Sequence, residues 1–345
     1  MDDPGRLIAT LTLALALSAA ATPLARRLAV RTEFFDHPRD YKAHFEPTPY
    51  LGGLAVVGAF GVVAVTLGNA LSGYGEIIAG VIVMTALGTL DDRIALPVAP
   101  RMAVQITLAA VLWRADLGWD LFDSEAVDLA LTVFWVVGIC NATNMMDNQD
   151  GIAAISAGAA AIGIGLLASE RDAVTLAAIA LGLGGACLGF LPHNLTKPAT
   201  IFLGDGGSMA VGFALAALTM ALPHPGLEGA TLFAAVPLLG IFVLDTSLVV
   251  ASRIRRGVPV FLGGRDHLSH RCYESTWQST RRVAAIFAVS QAMFSSLGIA
   301  LYRSSEETAV AVGVGYCIFA IAAIAILEAA MIRAEGGRTP VRSES

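Results

Sequence analysis

Charged residues are scarce in this chain: 14% of its 345 residues are Asp, Glu, Lys or Arg, against about 25% in an average soluble domain. That excludes water as its main solvent. Cysteine is sparse too, with four residues. Cys140, Cys187 and Cys317 fall within or at the edge of apolar segments and Cys272 falls in a basic loop, so no disulfide framework is implied. The net charge is −6 and aromatic residues make up 7%. No basic stripe with interleaved aromatics occurs, which argues against nucleic acid as a partner.

What is present is apolar: 56% of residues are hydrophobic and the mean hydropathy is +0.69. A bilayer core needs roughly 20 apolar residues per helix. Eleven such stretches lie near 7 to 25, 51 to 71, 76 to 90, 103 to 113, 126 to 140, 152 to 168, 173 to 191, 209 to 222, 229 to 251, 283 to 301 and 308 to 332. The expectation is an all-α fold, a polytopic transmembrane bundle of about 11 helices. Residues 1–332 form one membrane domain and 333–345 a disordered cytoplasmic tail. The first stretch resembles a secretory signal, but Asp2 and Asp3 precede it and Arg26, Arg27 and Arg31 follow. That charge order suits a retained anchor with its N-terminus outside.

On that topology 18 of the 22 Lys and Arg fall in inside segments and 4, namely Arg6, Arg114, Arg171 and Arg303, fall outside. The asymmetry obeys the positive-inside rule and places the C-terminus in the cytoplasm. It also sorts the polar motifs, which all land on the inside face.

Asp91 and Asp92 end the third apolar stretch, two like charges at the negative end of a helix. Either Mg²⁺ or a basic substrate-binding group offsets them, or they are solvated loop acids. Asn141, Asn144, Asp147 and Asp150 recur at every third residue. Steps of about 300° cannot keep all four on one helical stripe, so they converge only where a helix end runs into a loop. Gly204-Asp205-Gly206-Gly207-Ser208 precedes an apolar helix, where glycine lets backbone approach phosphate and helix-terminal amides can face it. Asp205 is a metal ligand or an N-cap. In Gly263-Gly264-Arg265-Asp266-His267-Leu268-Ser269-His270-Arg271 the guanidinium and imidazole groups suit a diphosphate, while the spacing lacks a second close ligand pair for zinc. The first inside loop adds Asp36, Lys42, His44 and a stiff Pro47 to Gly53 turn, with Lys42 and His44 facing either an anionic substrate or lipid headgroups.

Together these loops resemble the polyprenyl-phosphate N-acetylhexosamine-1-phosphate transferase family over nearly the whole chain. Asp91, Asp92, Leu96, Arg101 and Gln105 match its first motif; Asn141, Asn144, Asp147, Asp150 and Gly151 its second; Phe202 to Phe213 its third. The resemblance implies a Mg²⁺-dependent enzyme, with Mn²⁺ as a substitute. It would move a sugar 1-phosphate, GlcNAc first, from a UDP-N-acetylhexosamine to undecaprenyl or decaprenyl phosphate and release UMP. It implies catalytic roles for Asp91, Asp92, Asp147 and Asp150, metal binding by Asp205 and Asp147, and substrate binding by Lys42, His44, Arg101, Asn141, Asn144, His267, His270 and Arg271. The setting would be the inner (plasma) membrane, with the site cytoplasmic, and a homodimer is compatible with it.

Asn148 stands where the commonest second motif has glycine, and Ser269 where some relatives have histidine. The triple-histidine pattern of the phospho-muramoyl-pentapeptide branch is absent, which disfavours that donor. An ion-coupled transporter would carry its acids near mid-span rather than at one face. Asp150-Gly151 begins like a CDP-lipid phosphatidyl transferase signature, but Ile155, Ile164 and Ala168 break it. Phe202 and Leu203 argue against an intramembrane aspartyl protease.

Overall fold

The computed structural model describes residues 3–37, 47–223, 228–260 and 264–336; Lys42, His44 and Gly263 lie outside the described residues. The helices are α1 (Asp3–Arg31), α2 (Gly52–Thr66), α3 (Gly75–Ile94), α4 (Val98–Arg114), α5 (Glu125–Met146), α6 (Ile152–Glu170), α7 (Val174–Asn194), α8 (Asp205–Met220), α9 (Glu228–Leu238), α10 (Gly240–Arg256), α11 (Leu268–Ser275), α12 (Thr280–Tyr302) and α13 (Glu306–Gly336). Between α1 and α2, β1 (Phe35–Asp36) pairs antiparallel with β2 (Thr48–Pro49), Phe35 opposite Pro49 and Asp36 opposite Thr48. Every expected apolar stretch is helical, and the molecule is a polytopic helical membrane protein.

Six helices, α1, α5, α6, α7, α12 and α13, are long and apolar enough to cross a bilayer, and α9 with α10 makes a seventh if that bent pair is one span. That number does not establish the expected eleven crossings, since α2 and α8 are apolar but short. α13 reaches Gly336, past the expected start of the tail at 333; residues 337–345 lie outside the described ones.

Small residues explain the centre. α6 and α7 are built mainly of alanine, glycine and leucine, which lets helix axes approach closely where lipid offers no hydrophobic drive between helices. α8 is buried along its length from Gly206 to Met220. The outer helix α13 exposes Ile318, Phe319, Ile321 and Ile326, an arrangement only a hydrocarbon solvent tolerates.

The expected stretch 229 to 251 is not one helix. α9 and α10 meet at Leu239 with a bend of 79°. Pro237, two residues earlier, lacks an N–H and its ring crowds the preceding turn. The freed backbone groups are satisfied by Gln291 of α12, which donates to the Leu238 carbonyl (2.8 Å) and accepts from the Ile241 amide (3.1 Å). A break at membrane depth needs such a partner. It redirects α10, whose other end carries three arginines.

Candidate active site

The C-terminal ends of α3 and α5 and the N-terminus of α8 meet at one end of the bundle. Asp91 and Asp92 escape their mutual repulsion by turning opposite ways. Asp91 is buried; its Oδ1 accepts from the Leu96 amide and its Oδ2 from Arg101 Nη1, both at 2.6 Å. Asp92 accepts from the amides of Asp205 (3.0 Å) and Gly206 (3.3 Å), which puts its charge at the positive end of α8.

This corrects the expectation that the α8 amides face phosphate. The next two amides, Gly207 and Ser208, both donate to the Gly204 carbonyl, so the whole first turn is engaged. The glycines serve helix approach instead. A Cβ on Gly204, whose φ is +77°, would lie 2.7 Å from Asp92 Oδ2, and one on Gly88 would lie 2.3 Å from the Asp205 carbonyl oxygen. Asp205 is the first helical residue, with Gly204 in the capping position. Its Oδ1 accepts from Asn144 Nδ2 (2.8 Å), which also reaches Ser208 Oγ (3.1 Å).

The ladder of amides and acids resolves as helix geometry requires. Asn141 faces α4, donating to Gln105 Oε1 at 2.7 Å. Asn144 faces α8. Asp147 caps the C-terminus of α5, where the chain leaves the helix. Its carboxyl is pushed well above the usual range, first by desolvation and then by the charges of Asp205, Asp92 and Asp150. Asp92, Asp147, Asp150 and Asp205 all remain partly exposed, unlike Asp91.

Neighbouring segments lock this group. The Gly151 amide donates to Asn194 Oδ1 (2.5 Å), and Asn194 donates to the Ile201 carbonyl (2.9 Å), tying the α5–α6 turn to the irregular segment before Asp205. The first amides of α2, Gly52 and Gly53, donate to the carbonyls of Phe202 and Leu203. Tyr50, between Phe34 and Phe202, has its hydroxyl held protonated by burial and then by Asp36.

The histidine loop joins the same end through Ser269, whose hydroxyl donates to Asn148 Oδ1 at 2.8 Å. Thus the two positions that depart from the family pattern contact each other. His267 is buried, its Nδ1 2.7 Å from Asp245 Oδ2, and its ring lies 6.5 Å from that of His270. Burial, then the charges of His267 and Arg265, lowers His270 to about 4, so it is neutral at pH 7. Asp266 is gripped by Arg253 through both carboxylate oxygens (3.0 and 2.8 Å) and also by Arg256. Burial alone would raise Asp266, but the Arg253 hydrogen bonds and charge outweigh it and hold it at about 2. Arg271 donates to the Asp266 carbonyl (3.2 Å) and to Glu328 Oε1 (3.0 Å), while its buried Nη1 has no partner among the described residues.

Several functional residues escaped the sequence reading. Asp245 and Arg253 on α10 and Glu328 on α13 hold the histidine loop from apolar helices. For Asp245 and Glu328 an ionisable residue inside an apolar stretch was the signal that could have found them, whereas Arg253 lies just past the stretch that ends at 251 and carried no such signal. Arg101, expected on substrate, is engaged by Asp91.

Among the described residues no three His, Cys, Asp or Glu side chains form a ready cage for a metal. The donor set nevertheless fits Mg²⁺: accessible carboxylates crowd one another, and Mg²⁺ takes one or two carboxylates plus substrate phosphate oxygens rather than an all-protein cage.

The chain is similar to known proteins over most of its length. The family described as glycosyl transferase family 4 matches residues 75–222, the span from α3 through α8. A Bacillus subtilis (strain 168) protein named as a probable undecaprenyl-phosphate N-acetylglucosaminyl 1-phosphate transferase is 30% identical over 283 residues, 77% of each chain. A Mycobacterium leprae decaprenyl-phosphate N-acetylglucosaminephosphotransferase is 34% identical over 306 residues, again 77% of each. A Shouchella clausii phospho-N-acetylmuramoyl-pentapeptide-transferase is 28% identical over 279 residues, 73% of this chain and 82% of that one.

Proposed function

The chain belongs to glycosyl transferase family 4 and is a phosphosugar transferase, and from that premise we propose that it transfers GlcNAc 1-phosphate from UDP-GlcNAc to undecaprenyl or decaprenyl phosphate. UMP leaves, and the product starts a cell-envelope glycan. The names of the two relatives at 30% and 34% identity support this acceptor and sugar. The observation that carries the reading is the meeting of accessible Asp92, Asp147 and Asp205 beside a loop of His267, His270 and Arg271 at one end of an apolar bundle.

In this reading an oxygen of the lipid phosphate forms the new bond to the sugar-bearing phosphorus. The bond from that phosphorus to the bridging oxygen breaks, and UMP departs with that oxygen. A phosphate monoester has its second pKa near 6, so the acceptor is largely a dianion at pH 7 and needs no carboxylate nucleophile. The protein's task is to align two anions and offset their charge. Asp205 and Asp147 would hold Mg²⁺, or Mn²⁺ in its place, which would supply charge neutralisation on the diphosphate oxygens. Asp92 orients the acceptor, with Asp91 and Arg101 fixing the α3 end that carries it, and Asp150 acts on Asp147. Asn141 and Asn144 serve the nucleotide side. Arg271, whose Nη1 has no partner among the described residues, and the two histidines bind the diphosphate. Lys42 and His44, which lie outside the described residues, contact the anionic substrate in this reading. The catalytic face is cytoplasmic, in the plasma membrane.

Purified protein incubated with Mg²⁺, polyprenyl phosphate and a panel of UDP-sugars should release UMP with UDP-GlcNAc. Absence of UMP with every donor would overturn the reading. Exchange of labelled UMP into UDP-GlcNAc without lipid would replace direct attack with a covalent route.

A further inference from the structure

The turn between α11 and α12 carries a surface that the transfer reaction does not use. Trp277 is 83% exposed, more than any other large hydrophobic side chain described. Unlike the exposed residues of α13, it lies outside a span, three residues before the candidate span that begins at Thr280. Trp277 and Gln278 both adopt left-handed backbone, φ 52° and 55°, a conformation L side chains disfavour. The turn thus presents the indole instead of burying it.

One cation lies over this ring, and two more sit where the turn meets the α7–α8 connection. The Arg282 guanidinium lies 4.5 Å from the indole centroid. Lys197, in the α7–α8 connection that leads to Asp205, reaches the Gln278 carbonyl at 3.5 Å. Arg281 donates to the Leu195 carbonyl at 3.4 Å. Lys197, Arg281 and Arg282 are all exposed. Glu274 is the one acidic residue between His267 and Arg303, so positive charge prevails.

An indole at a span's edge sits at headgroup depth, with its apolar body toward the chains and its N–H toward water. Cations beside it are drawn to a negatively charged leaflet. We propose that the Trp277–Arg282 turn, together with Lys197, binds the phosphate headgroup of an anionic phospholipid in the leaflet on the catalytic side. The acceptor is an anionic lipid as well. However, these cations are exposed and their described partners are backbone carbonyls and an aromatic ring, which suits an exchanging bulk headgroup more than a substrate held in line for attack. The proposal does not depend on the transferase reading.

The test uses the full chain in nanodiscs of phosphatidylcholine containing a small fraction of brominated phosphatidylglycerol or brominated phosphatidylcholine. Trp277 emission is taken as the difference between the wild type and Trp277→Phe. Brominated phosphatidylglycerol is expected to quench at the lower mole fraction. Arg281→Gln, Arg282→Gln and Lys197→Gln should each reduce that preference about fivefold, whereas Arg282→Lys keeps it and high salt weakens it. Equal quenching by the two lipids would overturn the site. So would a preference that survives in the Arg281→Gln/Arg282→Gln double variant. Reversal of quenching by polyprenyl phosphate, but not by an equal fraction of unbrominated phosphatidylglycerol, would assign the surface to the acceptor and overturn the proposal.

Discussion

Asp245 accepts hydrogen bonds from two consecutive residues of the histidine loop: His267 Nδ1 at 2.7 Å and the Leu268 amide at 2.6 Å. A carboxylate only accepts, so Nδ1 carries the proton and the orientation of Nε2 is fixed. Asp245→Asn removes a charge-assisted bond of about 1.5–3 kcal/mol. The expected outcome is a kcat/KM for the UDP-sugar lower by roughly ten- to a hundredfold. Asp245→Glu should recover part of it. Unchanged kinetics in Asp245→Asn would show that the contact does not position His267.

His270 takes its proton only near pH 4. The unfolded chain binds that proton near 6.5, so below 6.5 the unfolded state holds more protons. His270 therefore favours the folded state fully above pH 6.5 and progressively less as pH falls toward 4. His270→Gln should flatten thermal stability over that window and, since His270 binds the diphosphate in the proposed reading, raise the KM for the UDP-sugar more than it lowers kcat at pH 7. A kcat loss above a hundredfold with an unchanged KM would mean that His270 transfers a proton instead.

Asp205→Asn should lower turnover by more than about a hundredfold while the protein stays folded and membrane-inserted, because a missing ligand weakens charge neutralisation rather than helix packing. Asp147→Asn should shift the Mg²⁺ concentration for half-maximal UMP release upward. Normal UMP release by Asp205→Asn at low Mg²⁺ would remove Asp205 from the metal site.

Asp266 sits at about 2, held by Arg253. Its contribution to stability is present above the unfolded value near 3.9 and is lost as pH falls through about 2. Leaving a buried guanidinium without its partner costs about 3–5 kcal/mol. Asp266→Asn should therefore lower the melting temperature and make the loop 264–271 sensitive to protease. An unaltered melting curve would mean that Arg253 finds another partner.

For orientation, the charge asymmetry predicts that in a Cys272→Ser/Cys317→Ser background a membrane-impermeant thiol reagent reaches a cysteine at Asp123 but not one at Glu274 in intact cells. Both positions are exposed, so accessibility does not confound the comparison. Labelling at Glu274 from outside would invert the topology.

The sequence by itself determined that the chain is a helical membrane protein, that its polar motifs lie between apolar runs and which family it resembles, because apolar run length and motif spacing are local properties. It also showed that Asn141, Asn144, Asp147 and Asp150 could converge only at a helix end, and α5 does end at Met146. Tertiary structure alone decided the partners. Whether Asp91 or Asp92 faces its neighbours depends on where α4 and α8 pack, and the chain distances from Asp92 to Asp205 and from Asp245 to His267 carry no local periodic signal. The break at Leu239 depends on a glutamine 52 residues away in sequence. Hydrogen bonds and ion pairs across helices are fixed by packing in three dimensions, so the carboxylate cluster and the α10 cradle for His267 exist only once the bundle has closed.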